Sequence, residues 1–397
     1  MNFNTFQNKK VLNNAKKAGW KLYRLTDLLI DDSRNSLKIK KRDYIEEGAT
    51  PIIDQGKELI GGYSNIEDGF YKRNSYIVFG DHTRILKYID FPAFIGADGV
   101  KILNNINEEV AITKYLYYFL NTVSIPDTGY NRHFKFLKEI IIPVPKIDVQ
   151  IEIVNLLDKT INVIDKRQQQ IEALSALKQN IFLDMFGSVK TNKHKFKVAK
   201  LGDYISLVTS GSTPRGGRKS YLNEGIPLIR SQNVLWNELR LEDVVFISGE
   251  THNNMKRSQL NNRDVLLNIT GASIGRSVVY EGESYDANVN QHVCIIRLNK
   301  YINPYYLSYY FTNDDFQQNV VSKNIGATRQ AFNYTQIKNF DILVPNISLQ
   351  NDFEDKVNEI NKQISVLAKS LDQINLLYDS ILYKAFNGEL FKEDINI

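Results

Sequence analysis

The sequence predicts a mixed α/β fold in which two similar globular domains alternate with two long helices. Two observations support this prediction. The patterns IPVPKIDVQ (142–150) and ILVPNISLQ (342–350) lie 200 residues apart. After each pattern the composition changes: the segments 150–186 and 350–386 contain neither glycine nor proline. Similar motifs in the same order indicate a tandem repeat, so the sequence predicts two copies of a unit made of one domain and one long helix.

The repeat extends through both globular parts. RLTDLL at 24–29 aligns with KLGDYI at 200–205, and Pro51 aligns with Pro227, both with an offset of 176 residues. The offset is 191 between YLYYFLN (115–121) and YLSYYFTN (306–313), and it reaches 200 at the proline patterns. The second copy is therefore longer in its middle, as expected where surface loops vary on one scaffold.

Within the globular parts, apolar runs predict strands and polar, glycine-containing segments predict loops. The strand-like runs are SYIVFG (75–80), DVLLNI (264–269) and HVCIIRL (292–298). EEVAITKYLYYFLN and NPYYLSYYFTN predict short helices. We expect binding residues in the loops.

The glycine-free segments predict long helices with one apolar seam. Apolar residues recur at steps of three and four, from Val154 to Met185 and from Phe353 to Ile381. At 1.5 Å per residue each helix would extend roughly 55 Å. A helix with a single apolar stripe needs a partner, so the two are expected to pair as an antiparallel coiled coil. The alternative is that each helix packs only on its own domain.

These observations define four segments. The first domain covers 1–149, including a lysine-rich lead at 1–19, and the central helix covers 150–187. The second domain covers 188–349, and the distal helix with the C-terminal tail covers 350–397.

Composition excludes several classes of protein. The single cysteine, Cys294, excludes a disulfide framework and suits a cytoplasmic protein. The five histidines are scattered, which argues against a metal centre. The N-terminus does not resemble a secretory signal, and no run of 18 apolar residues predicts a membrane span. A net charge of +5 is compatible with nucleic acid.

The most distinctive loop is SGSTPRGGRKSYLNEGIPLIRSQN at 210–233. It combines glycines with arginine, glutamine and asparagine, the residue types that contact phosphates and base edges. A solvated basic loop is the equally weighted alternative. NITGASIGRSVVY (268–280) with ANVNQHVC (287–294), and VFGDHTRILKY (78–88) in the first copy, occupy corresponding positions.

NPYY at 303–306 resembles the signature with which amino-methyltransferases hold a flipped base. No convincing glycine-rich turn for S-adenosylmethionine accompanies it. Asn303 and Pro304 more simply cap and begin a helix.

The order of these motifs resembles the DNA-specificity (S) subunit of type I restriction–modification systems over nearly the whole chain. The resemblance depends on KLGDYI, SGSTPRGG, GIPLIRSQNV, ITGASIGR, NVNQHV, NYTQIKNFDILVPNISLQ and YKAFNGEL, with PIIDQGKELIGGYSN, FIGADGVKIL and KEIIIPVPKIDVQ in the first half. It implies two target recognition domains that each read one half of a bipartite, asymmetric DNA site, and two helices that act as a spacer.

The resemblance also implies partners. Two modification subunits would bind S-adenosylmethionine and methylate adenine, and restriction subunits would use ATP and Mg²⁺, so this chain would hold no cofactor and do no chemistry. A methyltransferase-only complex, a free-standing DNA methyltransferase and a coiled-coil scaffold are the alternatives.

Loop position selects the candidate DNA contacts. In the first domain they are Gln55, Lys57, Tyr63, Asn65, Arg73, His82, Arg84, Lys87 and Arg132. In the second they are Ser212, Thr213, Arg215, Arg218, Lys219, Arg230, Gln232, Asn233, Arg276 and Arg329.

Overall fold

The structure is a computed structural model that describes residues 9–97, 99–129, 131–214, 216–283, 286–318 and 331–390, without the Arg218 side chain. The chain forms two compact units. Unit 1 comprises Met1–Gln168 and Lys369–Ile397, and unit 2 comprises Gln169–Ala368.

The described residues of unit 1 form ten strands and four short helices, and the first long helix starts in this unit. The strands are β1 (Lys21–Arg24), β2 (Leu29–Asp31), β3 (Lys38–Ile39), β4 (Thr50–Ile53), β5 (Gly62–Ser64), β6 (Tyr76–Gly80), β7 (Leu86–Ile89), β8 (Phe94–Gly96), β9 (Val100–Asn105) and β10 (Ile141–Val144). The helices are α1 (Lys9–Lys17), α2 (Leu25–Leu28), α3 (Thr113–Asn121), α4 (Phe134–Leu137) and α5 (Ile147–Phe186).

The described residues of unit 2 form nine strands and four short helices, and the second long helix starts in this unit. Its strands are β11 (Lys197–Lys200), β12 (Ile205–Ser210), β13 (Ile226–Ile229), β14 (Val245–Ile247), β15 (Val265–Asn268), β16 (Ser277–Val279), β17 (Asn288–Val289), β18 (Val293–Leu298) and β19 (Asp341–Val344). Its helices are α6 (Gly249–Asn254), α7 (Pro304–Thr312), α8 (Asp314–Phe316), α9 (Tyr334–Lys338) and α10 (Ile347–Phe386).

The two units share their sheet topology except for β3, which pairs parallel to β8 and has no counterpart in the three-stranded sheet β14-β13-β17 of unit 2. In unit 1 an antiparallel sheet has the order β2-β9-β6-β7, and the order in unit 2 is β12-β18-β15-β16. A second, mixed sheet pairs β4 parallel to β8 and antiparallel to β5, as β13 pairs with β17 and β14. The ribbons β1–β10 and β11–β19 precede the long helices. The duplicated fold predicted from the sequence is therefore confirmed.

The predicted strands are buried, as their apolar runs require. All five residues of β6 and all four of β15 are buried. Alternate residues of each strand pack into two different apolar clusters, so both faces of the strand are covered. The predicted short helices are α3 and α7.

The long helices begin at Ile147 and Ile347, three residues before the predicted starts at 150 and 350. Proline ends the preceding strand in each copy, and the helix starts two residues after Pro145 and Pro345. Each helix contains 40 residues, with its first part in one unit and its last part in the other.

In each unit the start of one long helix shares a core with the end of the other. In unit 1, Ile153 and Leu157 of α5 pack in one cluster with Phe386 of α10. In unit 2, Phe353 of α10 packs against Phe186 of α5 with ring centroids 5.5 Å apart. This is the arrangement that an antiparallel pair requires; supercoiling of the two helices stays a prediction.

The repeated glutamine has a structural role. Gln150 is fully buried, and its Nε2 donates to the carbonyl oxygens of Val110 and Pro145, both at 2.9 Å. Its Oε1 accepts from the backbone N–H of Ile112, the N-cap of α3, at 2.8 Å. The side chain therefore joins the start of the long helix to the start of the short one.

Gln350 repeats this geometry in unit 2. Its Nε2 donates to the carbonyls of Tyr301 (3.2 Å) and Pro345 (2.9 Å), and its Oε1 accepts from the N–H of Asn303 at 2.8 Å. Asn303 is the N-cap of α7, and its side chain accepts from the Tyr305 N–H. The helix interpretation of NPYY is confirmed.

Candidate nucleic-acid interface

In unit 1, three loops meet at one end of the sheets: the loop after β4, the loop after β6 and the loop before β9. The Thr83 hydroxyl donates to the carbonyl of Gln55 at 2.8 Å, and the His82 N–H contacts Gln55 Oε1 at 3.4 Å. The Asp81 N–H donates to the carbonyl of Gly99 at 2.6 Å. Gly99 has a φ of +59°, and a Cβ there would lie 2.5 Å from the His82 ring, so this close approach requires glycine.

The equivalent loops meet in unit 2. The Ile269 N–H donates to the carbonyl of His292 at 3.0 Å, and the Asn290 N–H donates to that of Ile229 at 3.0 Å. Gly211 lies so close that a Cβ would be 1.6 Å from the carbonyl oxygen of Val289. We call the globular part of each unit, without the long helices, its head. The two heads thus present the same three-loop surface, built from corresponding parts of the repeat.

A chain of polar side chains crosses this surface in unit 2. Thr213 Oγ1 donates to Gln291 Oε1 at 2.7 Å, and Gln291 Nε2 lies 3.0 Å from His292 Nε2. His292 Nδ1 in turn lies 2.6 Å from Thr270 Oγ1. Sequence reasoning selected Thr213 but missed the other three. The polar QH pair of NVNQHV, just before a buried strand, is the available signal.

Around Asp243 three predicted residues of unit 2 come together. Arg230 Nη2 donates to the Asp243 carbonyl at 2.7 Å, Gln232 Nε2 donates to Asp243 Oδ2, and Asn233 Nδ2 donates to Asp243 Oδ1 at 2.9 Å. Gln232 is exposed and Arg230 is half-buried. Held in this way, both side chains lose little further freedom when they bind a ligand.

The prediction that Asn233 contacts DNA is wrong. Asn233 is fully buried, and its side chain bonds Arg240, Asp243 and the N–H of Arg230. It supports the loop and cannot reach DNA directly, because every one of its polar atoms is already bonded inside the protein.

In unit 1 the prediction that Lys87 contacts DNA is likewise wrong. Only 4% of the Lys87 side chain is exposed, and its Nζ donates to the carbonyls of Asp54 (2.8 Å), Glu58 (2.5 Å) and Leu59 (3.4 Å). Burial lowers the pKa of this lysine, although Asp54 acts in the opposite direction. Lys87 therefore holds the loop after β4 from inside.

Arg84 and Arg276 are each held by a neighbour. Arg84 has a φ of 64° and pairs with Asp127, with Nη2 2.7 Å from Oδ2. Arg276 lies over the ring of Trp236, with 5.8 Å between Cζ and the ring centroid, and half of Trp236 is exposed. Sequence reasoning did not select Trp236, whose exposure depends on a turn that closes between Val234 and Leu239.

The remaining predicted residues divide into groups. Lys57, Arg132, Ser212 and Lys219 are exposed. Tyr63 and Asn65 lie at β5, where Asn65 Oδ1 accepts from the Ala49 N–H at 3.0 Å, and so form a group apart from the three loops. Arg73 is exposed beside Tyr71. Arg215, Arg329 and the Arg218 side chain lie outside the described residues.

Within the described part of the chain, no group of three or more histidine, cysteine or carboxylate side chains is arranged to hold a metal ion. Among the same residues no helix is both long enough and apolar enough to cross a membrane.

Comparison with protein families matches 17–176 and 193–376 to the type I restriction modification DNA specificity domain. Each match covers one head and most of the following long helix. The chain belongs to this family. The resemblance seen in the sequence is thereby confirmed, and the two heads are two copies of the specificity domain.

Individual relatives agree with this assignment. The chain is 26% identical over 209 residues to the EcoR124I/EcoR124II specificity subunit of Escherichia coli, covering 49% of this chain and 51% of the relative. It is 32% identical over 180 residues to the EcoBI specificity subunit of the same organism, covering 43% and 36%. The chain thus spans about half the length of the first of these relatives, and less of the second.

Two solved structures share the fold. The S subunit of a type I restriction-modification system from M. genitalium aligns with a TM-score of 0.55 and 16% identity, covering 92% of this chain and 96% of that one. A chain from a study of the assembly and conformational transition of the type I system aligns with a TM-score of 0.54 and 15% identity, covering 94% and 98%.

Proposed function

We propose that this chain is the DNA-specificity subunit of a type I restriction–modification complex and that each head reads one half of a bipartite, asymmetric site. The main support is the duplicated three-loop surface, present once in each unit. Two non-identical surfaces on one chain match two different half-sites, because the side chains differ while the scaffold is the same.

The side chains on these surfaces suit DNA. Arginine forks onto the acceptor edge of guanine, and glutamine pairs with adenine, so Arg230, Gln232 and Gln291 are the proposed base readers of unit 2. Exposed lysine and arginine, such as Lys57, Arg132 and Lys219, supply phosphate contacts and a salt-dependent affinity.

In this proposal the chain is not itself an enzyme. Modification subunits would bind S-adenosylmethionine and methylate adenine, and restriction subunits would bind ATP and Mg²⁺. The last part of α10, in unit 1, offers a docking surface, since Leu376 and Leu377 are exposed, Leu376 by 70%. In this proposal they belong to an apolar patch, and contiguous exposed apolar patches mark protein interaction sites.

The decisive experiment is methylation mapping. The chain is co-expressed with its modification subunit in a host without other methylation, and methylated adenines are located by single-molecule sequencing. We expect one split motif with an unread spacer of fixed length. Methylation without a split motif would falsify the proposal, and methyl transfer by the purified chain alone would favour a free-standing methyltransferase.

Domain exchange tests the assignment of half-sites to heads. Replacing 196–349 with the equivalent segment of a relative is expected to change one half of the motif only. Adding one helical turn to the central helix is expected to lengthen the spacer while both halves stay the same. A change in both halves after either alteration contradicts the model of two independent readers.

The docking surface has its own test. Leu376→Glu is expected to weaken association with the modification subunit, while Gln363→Glu, also exposed on α10, serves as the control. Equal association of both variants with the modification subunit in a pull-down with purified components would remove α10 from the docking surface.

A further inference from the structure

In unit 2 one carboxylate of the distal helix binds two separate parts of the head. Glu354 accepts a fork from Arg263, with Nη1 to Oε1 at 2.5 Å and Nη2 to Oε2 at 2.8 Å. Its Oε2 also accepts from Asn303 Nδ2 at 2.5 Å. Arg263 lies in the turn before β15 and Asn303 caps α7, so a single side chain of α10 fixes both elements. Only 15% of the Glu354 side chain is exposed.

Unit 1 contains a carboxylate with the same role. Asp158 of α5 accepts from Lys114 Nζ at 2.8 Å through Oδ2, and from the Tyr118 hydroxyl through Oδ1. Both donors lie on α3, the counterpart of α7. In repeat numbering, Asp158 lies four residues beyond the equivalent of Glu354, which places both on the same helix face. The residues differ between the copies, but each copy has one carboxylate that bonds its own head.

Apolar packing alone fixes an angle poorly. Ile153 and Leu157 in unit 1, and Phe353 and Val357 in unit 2, hold helix and head together through non-directional contacts. A bidentate arginine–carboxylate pair is directional and charge-assisted, so it penalises a small rotation that an apolar seam would tolerate. Polar pairs of this kind are best known for setting register and orientation.

We propose that Glu354 and Asp158 are positioning residues that fix the angle of each head on its own long helix and thereby narrow the range of DNA spacer lengths that the complex accepts. This inference rests on the proposed function. One base pair of spacer moves a half-site by about 3.4 Å and rotates it by about 34°, so a head held at one angle fits one spacer. A head freed to rotate also reaches half-sites that are one base pair nearer or farther.

The test uses the complete methylating complex and a set of duplexes with both native half-sites and a spacer of native length, one base pair shorter, or one longer. For Glu354→Gln and Asp158→Asn we expect the methylation rate on altered spacers, relative to the native one, to rise about tenfold, as expected from losing one charge-assisted network. Preference within each half-site stays unchanged. Glu359→Gln and Asp165→Asn, exposed carboxylates on the same helices, are the matched controls.

Rescue separates positioning from general stability. Exchanging the partners in Arg263→Glu/Glu354→Arg rebuilds the pair with reversed direction and is expected to restore most of the spacer preference. Arg263→Lys keeps the charge but loses the fork, so an intermediate preference is expected. Circular dichroism confirms that each variant is folded before the methylation rates are compared.

A measurement without DNA follows the head directly. The only cysteine, Cys294, is buried, so cysteines introduced at the exposed Lys300 and Lys362 carry spin labels on the head and on α10 of unit 2. Glu354→Gln is expected to broaden the distance distribution between the labels, and Glu359→Gln is not.

The outcomes are distinct. If the native complex prefers one spacer and Glu354→Gln stays within twofold of Glu359→Gln, the inference is overturned, whether or not the distance distribution broadens. If the native complex shows no split site at all, the proposed function fails instead. A rise on altered spacers with intact half-site preference supports the inference.

Discussion

The buried glutamine of each repeat makes a sharp prediction. In unit 2, Gln350→Met keeps the length of the side chain but removes three hydrogen bonds. The N–H of Asn303 and the carbonyl of Pro345 would be left buried without this partner, and the carbonyl of Tyr301 is only partly buried. A buried polar group that loses its partner costs about 1–3 kcal/mol, so the three together predict a loss of about 3–5 kcal/mol.

Because the chain has two compact units, one free energy of unfolding does not describe it. Native-state hydrogen exchange, read separately for amides of each unit, is therefore the suitable assay. We expect Gln350→Met to lower protection in unit 2 by the predicted amount, and Gln150→Met to do the same in unit 1. Gln363→Met, an exposed position on α10, should stay within about 0.5 kcal/mol.

A loss below about 1 kcal/mol in unit 2 would refute the reasoning, since it would mean that water or a rearranged loop satisfies these groups at little cost. A loss spread equally over both units would also contradict it. The repeated proline–glutamine pattern would then need an explanation other than the joint between the short and long helices.

Three further predictions concern other contacts. Tyr306→Phe removes a buried hydrogen bond to the Leu343 carbonyl and should destabilise unit 2 by about 1–2 kcal/mol, measured by the same exchange assay. Lys57→Met should reduce the salt slope of DNA binding by about one, because Lys57 is exposed. Lys87→Met should weaken DNA binding with little change of the salt slope, because Lys87 is buried and supports the loop after β4. Equal slopes for both variants in a salt titration would contradict this prediction. Burial raises the pKa of Glu354, but the hydrogen bonds from Arg263 and Asn303 outweigh this effect and hold the pKa below its ordinary value of 4.5. The stabilisation of the folded state by Glu354 is therefore present above the unfolded-state pKa and is lost as the pH falls through the folded-state pKa. Between pH 6 and pH 3 the stability of unit 2, measured by the same exchange assay, should therefore fall more steeply for the native chain than for Glu354→Gln.

Much of the fold was accessible to sequence reasoning because its signals are local. The long helices follow from apolar spacing and from the absence of glycine and proline, and the α7 cap follows from asparagine before proline. Because the two copies align, a helix or strand predicted in one copy also predicts the equivalent element in the other. The starts of the long helices were missed by three residues, since periodicity identifies an apolar face better than the first turn of a helix.

The candidate site was less accessible, because burial of a polar side chain depends on distant partners. Lys87 and Asn233 both lie in loop-rich, polar stretches, yet both are internal supports. For Lys87 a signal was available: β7 alternates, with Lys87 and Ile89 buried on one face. For Asn233 no such signal exists, because its burial depends on Asp243 and Arg240, which an intervening loop brings back.

The compact units do not coincide with the repeats, and this follows from where the second phenylalanine of each copy packs. Phe186 ends the first repeat but lies in the core of unit 2, and Phe386 ends the second repeat but lies in that of unit 1, with its ring centroid 5.3 Å from that of Tyr115. Each head therefore completes its core with the last turn of the other copy's helix. Both phenylalanines are buried, so the core of each unit contains residues from both repeats. In the proposed function, this exchange of helix ends completes the core of each head while leaving the reading loops free to differ.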